Sequence, residues 1–173
     1  MPDKTPIQGK RQYGFTLLEV LIALLILSIG LLGLAALQTT GLRSNQMASM
    51  RTLATEAAYN ITDSMRSNPV EVTSGKYVIA LTDAPASAKN GSGRALADLT
   101  AWRNLVHRLP GGASEITQCD TGSPPPAIPT ATCDGLTHII TVYWDENRTG
   151  ADGTNCPPKT DADLRCYRLI YSE

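Results

Sequence analysis

The hydrophobic and polar positions divide the chain into an apolar N-terminal segment and a patterned remainder. Residues 15–37 are apolar almost without interruption and hold one charged residue, Glu19. A helix of these 23 residues rises far enough to cross a bilayer core of about 30 Å. The 14 residues before it carry three basic side chains against one acidic side chain. The positive-inside bias therefore predicts a cytoplasmic N-terminus and an extracytoplasmic remainder.

Beyond residue 37 the apolar positions recur every three or four residues, which predicts one stripe on a continuing helix. Asn68 and Pro69 should end this helix. It would then span residues 15–67, about 80 Å, with its second half covering a small domain. The stripe comprises Leu42, Met50, Leu53, Ala57, Ile61 and Met65, with Arg51, Thr55, Thr62 and Arg66 elsewhere around the helix.

The rest of the chain predicts an α+β domain. A loop with one short strand at residues 76–81 should lead, through an Ala/Ser/Gly/Asn-rich run, to a second helix at residues 94–109. Pro110-Gly111-Gly112 ends that helix. Three strands are expected at residues 114–119, 138–144 and 164–171, separated by a proline-rich run at 121–129 and a loop at 145–159. They should form an antiparallel sheet with one face on the amphipathic half of the long helix.

Length and charge limit the function classes. The chain has 173 residues, so one small domain remains after the apolar segment. Its formal net charge is −1, and without the first 14 residues 12 basic and 15 acidic residues remain. The chain has no basic field, so a nucleic-acid partner is not predicted.

Four cysteines follow the apolar segment, and an even number in an extracytoplasmic domain favours disulfides over a zinc site. Three pairings are possible. The local one, Cys119 with Cys133 and Cys156 with Cys166, is favoured because each bond closes an irregular loop beside a predicted strand. Each bond would contribute about 2 to 4 kcal/mol.

No constellation predicts catalysis, a metal or a cofactor. The two histidines, His107 and His138, stand in no known catalytic motif, and His107 fits a capping or surface role at the end of a helix. Residues 145–150 match the first half of a calcium loop, but the twelfth position is Cys156 instead of glutamate. A solvated turn explains this segment better. The chain is therefore predicted not to be an enzyme.

Three interpretations compete for the apolar segment. A cleaved secretory signal would have a shorter apolar core and a small-x-small site. A plain membrane anchor leaves Glu19 unexplained, because a carboxylate there costs about 2.5 to 3.5 kcal/mol. Gly30 and Gly33 fit either a contact with neighbouring helices or the ordinary glycine content of membrane helices.

The third interpretation is a resemblance. Gly14-Phe15-Thr16-Leu17-Leu18-Glu19 after a short basic leader resembles the type III signal of type IV pilins and pseudopilins. The resemblance implies that prepilin peptidase cuts between Gly14 and Phe15 and that Phe15 is N-methylated. Glu19 would then meet the terminal amine of a neighbouring subunit, which pairs two charges that are costly when buried alone.

A further resemblance is to the PilV family of minor pilins, and it is carried by residues 15–24, 29–38, 57–69 and 99–112. The apolar segment has no proline in its second half, unlike that of major pilins. The resemblance implies a leader at 1–14, a transmembrane and filament-core helix at 15–37, an amphipathic half at 38–68 and a periplasmic head at 69–173, with the fold of type IV pilins.

The function implied by this family is that of a low-abundance subunit at the inner membrane and near the pilus tip. Its partners would be other minor pilins, a large tip-associated adhesin and the major pilin filament, and it would prime assembly and support twitching motility and adhesion. Two alternatives stay open: an I-type minor pseudopilin of type II secretion, and a bitopic membrane-anchored periplasmic domain whose N-terminus is never cut.

Overall fold

The computed structural model describes residues 14–82, 93–119, 133 and 135–172. A long N-terminal helix is followed by two shorter helices and a small antiparallel sheet, which confirms the predicted α+β architecture. Residues 1–13 of the expected leader, most of the Ala/Ser/Gly/Asn-rich run and the proline-rich run lie outside the described residues. The elements are α1 (Leu17–Ser67), α2 (Pro69–Thr73), α3 (Arg94–Val106), β1 (Ala113–Gln118), β2 (His138–Trp144) and β3 (Arg165–Tyr171).

The chain divides into two units, Met1–Ser44 and Asn45–Glu173. In the first unit every described residue is exposed. The second unit contains the C-terminal part of α1, both short helices and the sheet. Its core is therefore the only one in the described parts of the chain.

The sheet has the order β1-β2-β3, with both pairs antiparallel. Ile140 in the central strand pairs with Ile116 on one side and Leu169 on the other. The predicted antiparallel sheet is confirmed, and β2 has the predicted bounds. Strand β1 begins and ends one residue earlier than expected, and β3 begins one residue later.

The core of the second unit joins α1, α3 and the sheet. Ile61, Trp102 and Ile140 are completely buried, and the Trp102 indole N–H donates to the Ala57 carbonyl of α1 at 2.9 Å. Complete burial of one such side chain contributes about 1.5 to 3 kcal/mol. These contacts make the C-terminal part of α1 one wall of the core of the second unit.

The predicted stripe on α1 is partly wrong. Leu42 is 64% exposed because it belongs to the first unit, where no described side chain is buried. Thr62, expected away from the stripe, is buried. Its hydroxyl donates to the Ala58 carbonyl at 2.8 Å, so burial leaves no unsatisfied donor. Ala54 and Ala58 also belong to the buried face.

The segment after α1 also differs from the expectation. Pro69–Thr73 forms the short helix α2 instead of a loop, because proline is well suited to the first position of a helix. The prediction of a strand at residues 76–81 is wrong, because only Ile79 pairs, in an isolated antiparallel bridge to Ile116. A β-rich composition did not decide the structure of this segment.

Helix α3 begins at the predicted residue but ends at Val106 instead of Leu109. The exposed His107 is its C-cap residue. A side chain at Gly112 would collide with the Val106 carbonyl. The glycine therefore permits the chain to turn directly from α3 into β1.

Candidate functional site

The two residues predicted to flank a cleavage site lie immediately before α1. Gly14 and Phe15 are non-helical and exposed, with 84% of Phe15 accessible. A Cβ built on Gly14 meets no atom within 4 Å. The peptide bond between them is thus outside the helical hydrogen-bond ladder, where a protease can bind an extended chain.

Thr16 determines where α1 begins. The Glu19 N–H donates to the Thr16 hydroxyl at 3.3 Å and to the Thr16 carbonyl at 3.1 Å. The spacing Thr-x-x-Glu is that of a capping box, in which the threonine satisfies an N–H that has no helical partner. This role of Thr16 was not predicted from the sequence, although the Thr-x-x-Glu spacing is a sufficient signal.

Glu19 lies in the first turn of α1, and the positive end of the helix dipole favours a carboxylate there. Among the described residues, no cation forms an ion pair with its carboxylate. Val20, beside it, is 48% exposed, and every described residue before Gln46 is exposed. A partner for this charge has to come from outside the described part of the chain.

The N-terminal part of α1 is long and apolar enough to cross a membrane. Its most apolar window has a mean hydropathy of 2.9 and none of that window is buried. An exposed apolar surface of this size is stable in a lipid or protein environment and unstable in water. This helix near the N-terminus fits a membrane anchor.

The second unit holds a buried acid that sequence patterns did not reveal. The Glu146 side chain is 4% exposed, accepts a hydrogen bond from Arg51 Nε of α1 at 2.7 Å and forms a second ion pair with Arg165 of β3, whose Nε lies at 3.3 Å. The bond to Glu146 raises the pKa of Arg51. Glu146 therefore connects the long helix to the last strand.

Asp145 corrects the prediction of a solvated turn. Both Asp145 and Glu146 are buried, and only residues 147–150 are exposed. Burial acts to raise the pKa of Asp145, but backbone N–H donors headed by Gly150, at 2.7 Å, outweigh it and lower that pKa. The described residues contain no group of three or more His, Cys, Asp or Glu side chains that could hold a metal ion.

Asp163 organises the loop before β3. Its carboxylate accepts from the Asn155 side chain at 2.9 Å and from the backbone N–H groups of Lys159 and Thr160 at 2.9 and 2.8 Å. These donors, led by Asn155, lower the pKa of Asp163 to about 2. One buried carboxylate therefore connects three residues of this loop, Asn155, Lys159 and Thr160.

Two disulfides join residues of the second unit. Cys119 is bonded to Cys133 and Cys156 to Cys166, with Cα atoms 4.9 and 5.8 Å apart. These are the local pairs that the sequence favoured. The second bond ties the loop that contains Asp163 to Cys166, the second residue of β3.

An open cleft of about 410 Å³ lies beside the Glu146 ion pairs. Its walls combine the side of α1 with the start of β3, and both arginines that hold Glu146 belong to them. Tyr167 lies there too, and its pKa is raised by burial and by its bond to Tyr59.

Comparison with known proteins identifies the N-terminal region. Residues 9–35 match the prokaryotic N-terminal methylation motif. No curated protein and no solved structure matches the chain. The match includes Gly14, Phe15 and Glu19, implies processing by a prepilin peptidase and assembly with other pilins, and indicates a structural protein. The motif, the long apolar helix and the small antiparallel sheet together support a type IV pilin-like protein, either a pilin or a pseudopilin.

Proposed function

We propose that this chain is a minor pilin that takes part in initiating type IV pilus assembly, within a priming complex that ends at the pilus tip. In this role it supports twitching motility and adhesion. The observation that carries the proposal is the methylation motif at residues 9–35. The exposed bond after Gly14 and the capped helix that follows it support the same role.

The first step is processing at the inner membrane. Prepilin peptidase cuts between Gly14 and Phe15 and the new N-terminus of Phe15 is methylated. Residues 15–37 then anchor the protein as a single span, with residues 38–68 continuing the helix and the head at 69–173 in the periplasm. The exposed apolar surface of α1 supports this division.

The second step is entry into the filament, where Glu19 pairs with the N-terminal amine of a neighbouring subunit. A carboxylate at this depth costs about 2.5 to 3.5 kcal/mol when it is alone. Two buried charges that pair and form hydrogen bonds compensate each other. The lack of an ion pair for Glu19 among the described residues supports a partner in another subunit.

A minor subunit is favoured over a bulk filament subunit by the course of α1. The helix continues without a break from Leu17 to Ser67. The second half of its apolar segment, where major pilins carry a proline, has Gly33, Ala35 and Ala36 instead. A proline there would remove a backbone donor and kink the helix. Other minor pilins, a large tip-associated adhesin and the major pilin filament are the proposed partners.

The test is the N-terminal mass of the protein purified from its native membrane. A chain that begins at methylated Phe15 is expected, and Gly14→Val should retain residues 1–14 because the peptidase no longer accepts the site. Glu19→Ala should be cut normally but enter filaments poorly. Glu56→Ala is the matched control, since it removes an exposed acid of the same helix outside the apolar segment.

Three results would contradict the proposal. Piliation at the wild-type level with an uncut Gly14→Val chain would separate processing from function. Copurification with secretion components, and not with pilus tips, would instead assign the chain to the I-type pseudopilins. A leader retained by the wild-type chain would leave a bitopic anchored domain.

A further inference from the structure

Strand β3 is an edge of the sheet, and the hydrogen-bond pattern shows which of its backbone groups point outward. The Cys119 N–H donates to the Thr137 carbonyl at 2.8 Å, while Ile116 exchanges its two bonds with Ile79 instead of β2. Backbone direction alternates along an antiparallel strand. Ile116 is paired with Ile140 but bonds to Ile79, so Ile140 does not bond to β1 and directs its N–H and C=O groups at β3. Val142, two residues further along β2, points the same way.

The register then assigns the groups of β3. Ile140 pairs with Leu169 and Val142 with Tyr167, so these residues bond to β2. The alternate residues Cys166, Arg168 and Ile170 direct their N–H and C=O groups away from the sheet. Among the described residues, none provides a hydrogen bond to these outward groups. Within the described parts of the chain they form an unpaired row to which a further strand can add.

The two edges of the sheet differ in this respect. On the β1 side, Ile79 already occupies the outward groups of Ile116 with bonds of 2.9 Å in both directions. On the β3 side, Gly153 accepts from the Leu164 N–H at 2.7 Å just before the strand, and beyond it Ile170 is 43% exposed at the end of the row. The β3 edge is thus the side at which a partner strand would complete the sheet.

Charge determines which strand fits. Strand β3 contains two arginines, Arg165 and Arg168, and no acid; because Arg165 is paired with Glu146, Arg168 is the charge that an incoming strand would meet. Arg168 Nε is buried and has no hydrogen-bond acceptor among the described residues. Opposite charges on directly paired strands are favourable, and like charges are unfavourable. An incoming strand with an acidic residue opposite Arg168 would both balance the charge and supply an acceptor.

A second copy of the chain fits this edge poorly. Two β3 strands in the antiparallel register that pairs all three outward residues, with Cys166 opposite Ile170, place Arg168 directly opposite Arg168. This arrangement repels and leaves both Nε donors without an acceptor. The sequence of β3 therefore disfavours pairing with itself and favours a different protein.

We propose that the β3 edge binds an extended acidic segment of another protein as a fourth strand of the sheet. The cleft beside Glu146 shares Arg165, Cys166 and Tyr167 with β3, and it receives side chains of the added strand that face α1. This interaction goes beyond the proposed function. It does not require cleavage after Gly14, so either can fail without the other.

The experiment uses the full chain in detergent micelles and two synthetic peptides of the length of β3, one alternating aspartate with valine and one alternating lysine with valine. Hydrogen exchange measured residue by residue is the readout. The aspartate–valine peptide should slow exchange at the amides of Cys166, Arg168 and Ile170 and bind about tenfold more tightly than the lysine–valine peptide, a difference of about 1.4 kcal/mol.

Two variants separate backbone pairing from charge. Arg168→Glu should reverse the preference between the two peptides. Ile170→Pro removes an outward N–H, which a sheet tolerates at an edge, and should abolish binding of both. Continued protection of Tyr167 and Leu169 shows that this variant retains the β2–β3 ladder; if it does not, Arg168→Glu decides.

Unchanged exchange at the three outward amides with both peptides would overturn the proposal. So would an Arg168→Glu chain that still prefers the aspartate–valine peptide. Protection of the same amides in concentrated protein without peptide, together with the mass of a dimer, would identify a second copy as the occupant and would also overturn it.

Discussion

Replacing Trp102 by phenylalanine should destabilise the second unit more than the same replacement at Trp144. These are the two tryptophans of the chain, and both are buried. Trp102 Nε1 donates to the Ala57 carbonyl at 2.9 Å, whereas Trp144 Nε1 is buried and has no acceptor among the described residues. The same chemical change therefore removes a hydrogen bond at one site and an unsatisfied donor at the other.

The magnitudes follow from this difference. Both replacements remove a similar area of buried ring and leave a similar cavity, so these costs cancel when the variants are compared. Loss of the bond at Trp102 costs about 0.5 to 1.5 kcal/mol, while a buried donor without an acceptor costs about 1 to 3 kcal/mol that Trp144→Phe recovers. Trp102→Phe should therefore be less stable by about 2 kcal/mol or more.

The assay is urea unfolding of the full chain in detergent micelles, followed by fluorescence of the remaining tryptophan. Fluorescence is preferred to helical circular dichroism because the apolar part of α1 is expected to stay helical in the micelle. Each variant retains one reporter inside the same core. Equal destabilisation, or a larger loss at Trp144, would refute the assignment of the two indole environments.

Two further predictions concern the loop and the ion pairs. The pKa of Asp163 is lowered to about 2, so its ionised carboxylate stabilises the fold above the ordinary aspartate pKa and this contribution is lost as the pH falls toward 2. Asp163→Asn should therefore lower the urea midpoint at neutral pH and match the wild type near pH 2. Glu146→Gln should lower the midpoint because Arg51 and Arg165 lose their shared charge, and the loss should shrink at high salt because both arginines are partly exposed. An unchanged pH profile, or a salt-independent loss, would contradict these two accounts.

Features governed by neighbouring residues could be predicted from the sequence. The β-branched and aromatic run of β2 gave the strand its correct bounds, and Asn68-Pro69 ended α1 as expected. The N-terminal site belongs to the same class, because glycine, the apolar run and a single acid lie within a few residues of each other. Local chemistry was sufficient in each case.

Features that depend on distant residues could not be predicted. The segment at residues 76–81 has a strand-like composition, but the sheet meets it only where Ile79 faces Ile116. Leu42 continues the spacing of the stripe, yet its part of α1 belongs to a unit without a buried core. Spacing indicates which positions share a helix face and does not indicate where the covering surface ends.

The two acids Glu19 and Glu146 show why the proposed assembly site was visible in the sequence while the Glu146 ion pairs of the second unit were not. Each is a carboxylate in a setting where an isolated charge is costly. Glu146 is satisfied within its own chain by Arg51, 95 residues away, so no local pattern announces the pair. Glu19 interrupts an apolar run, and among the described residues it has no cationic partner. A charge that the described part of the chain does not compensate argues for a partner in another molecule, and this is why the proposed assembly step centres on Glu19.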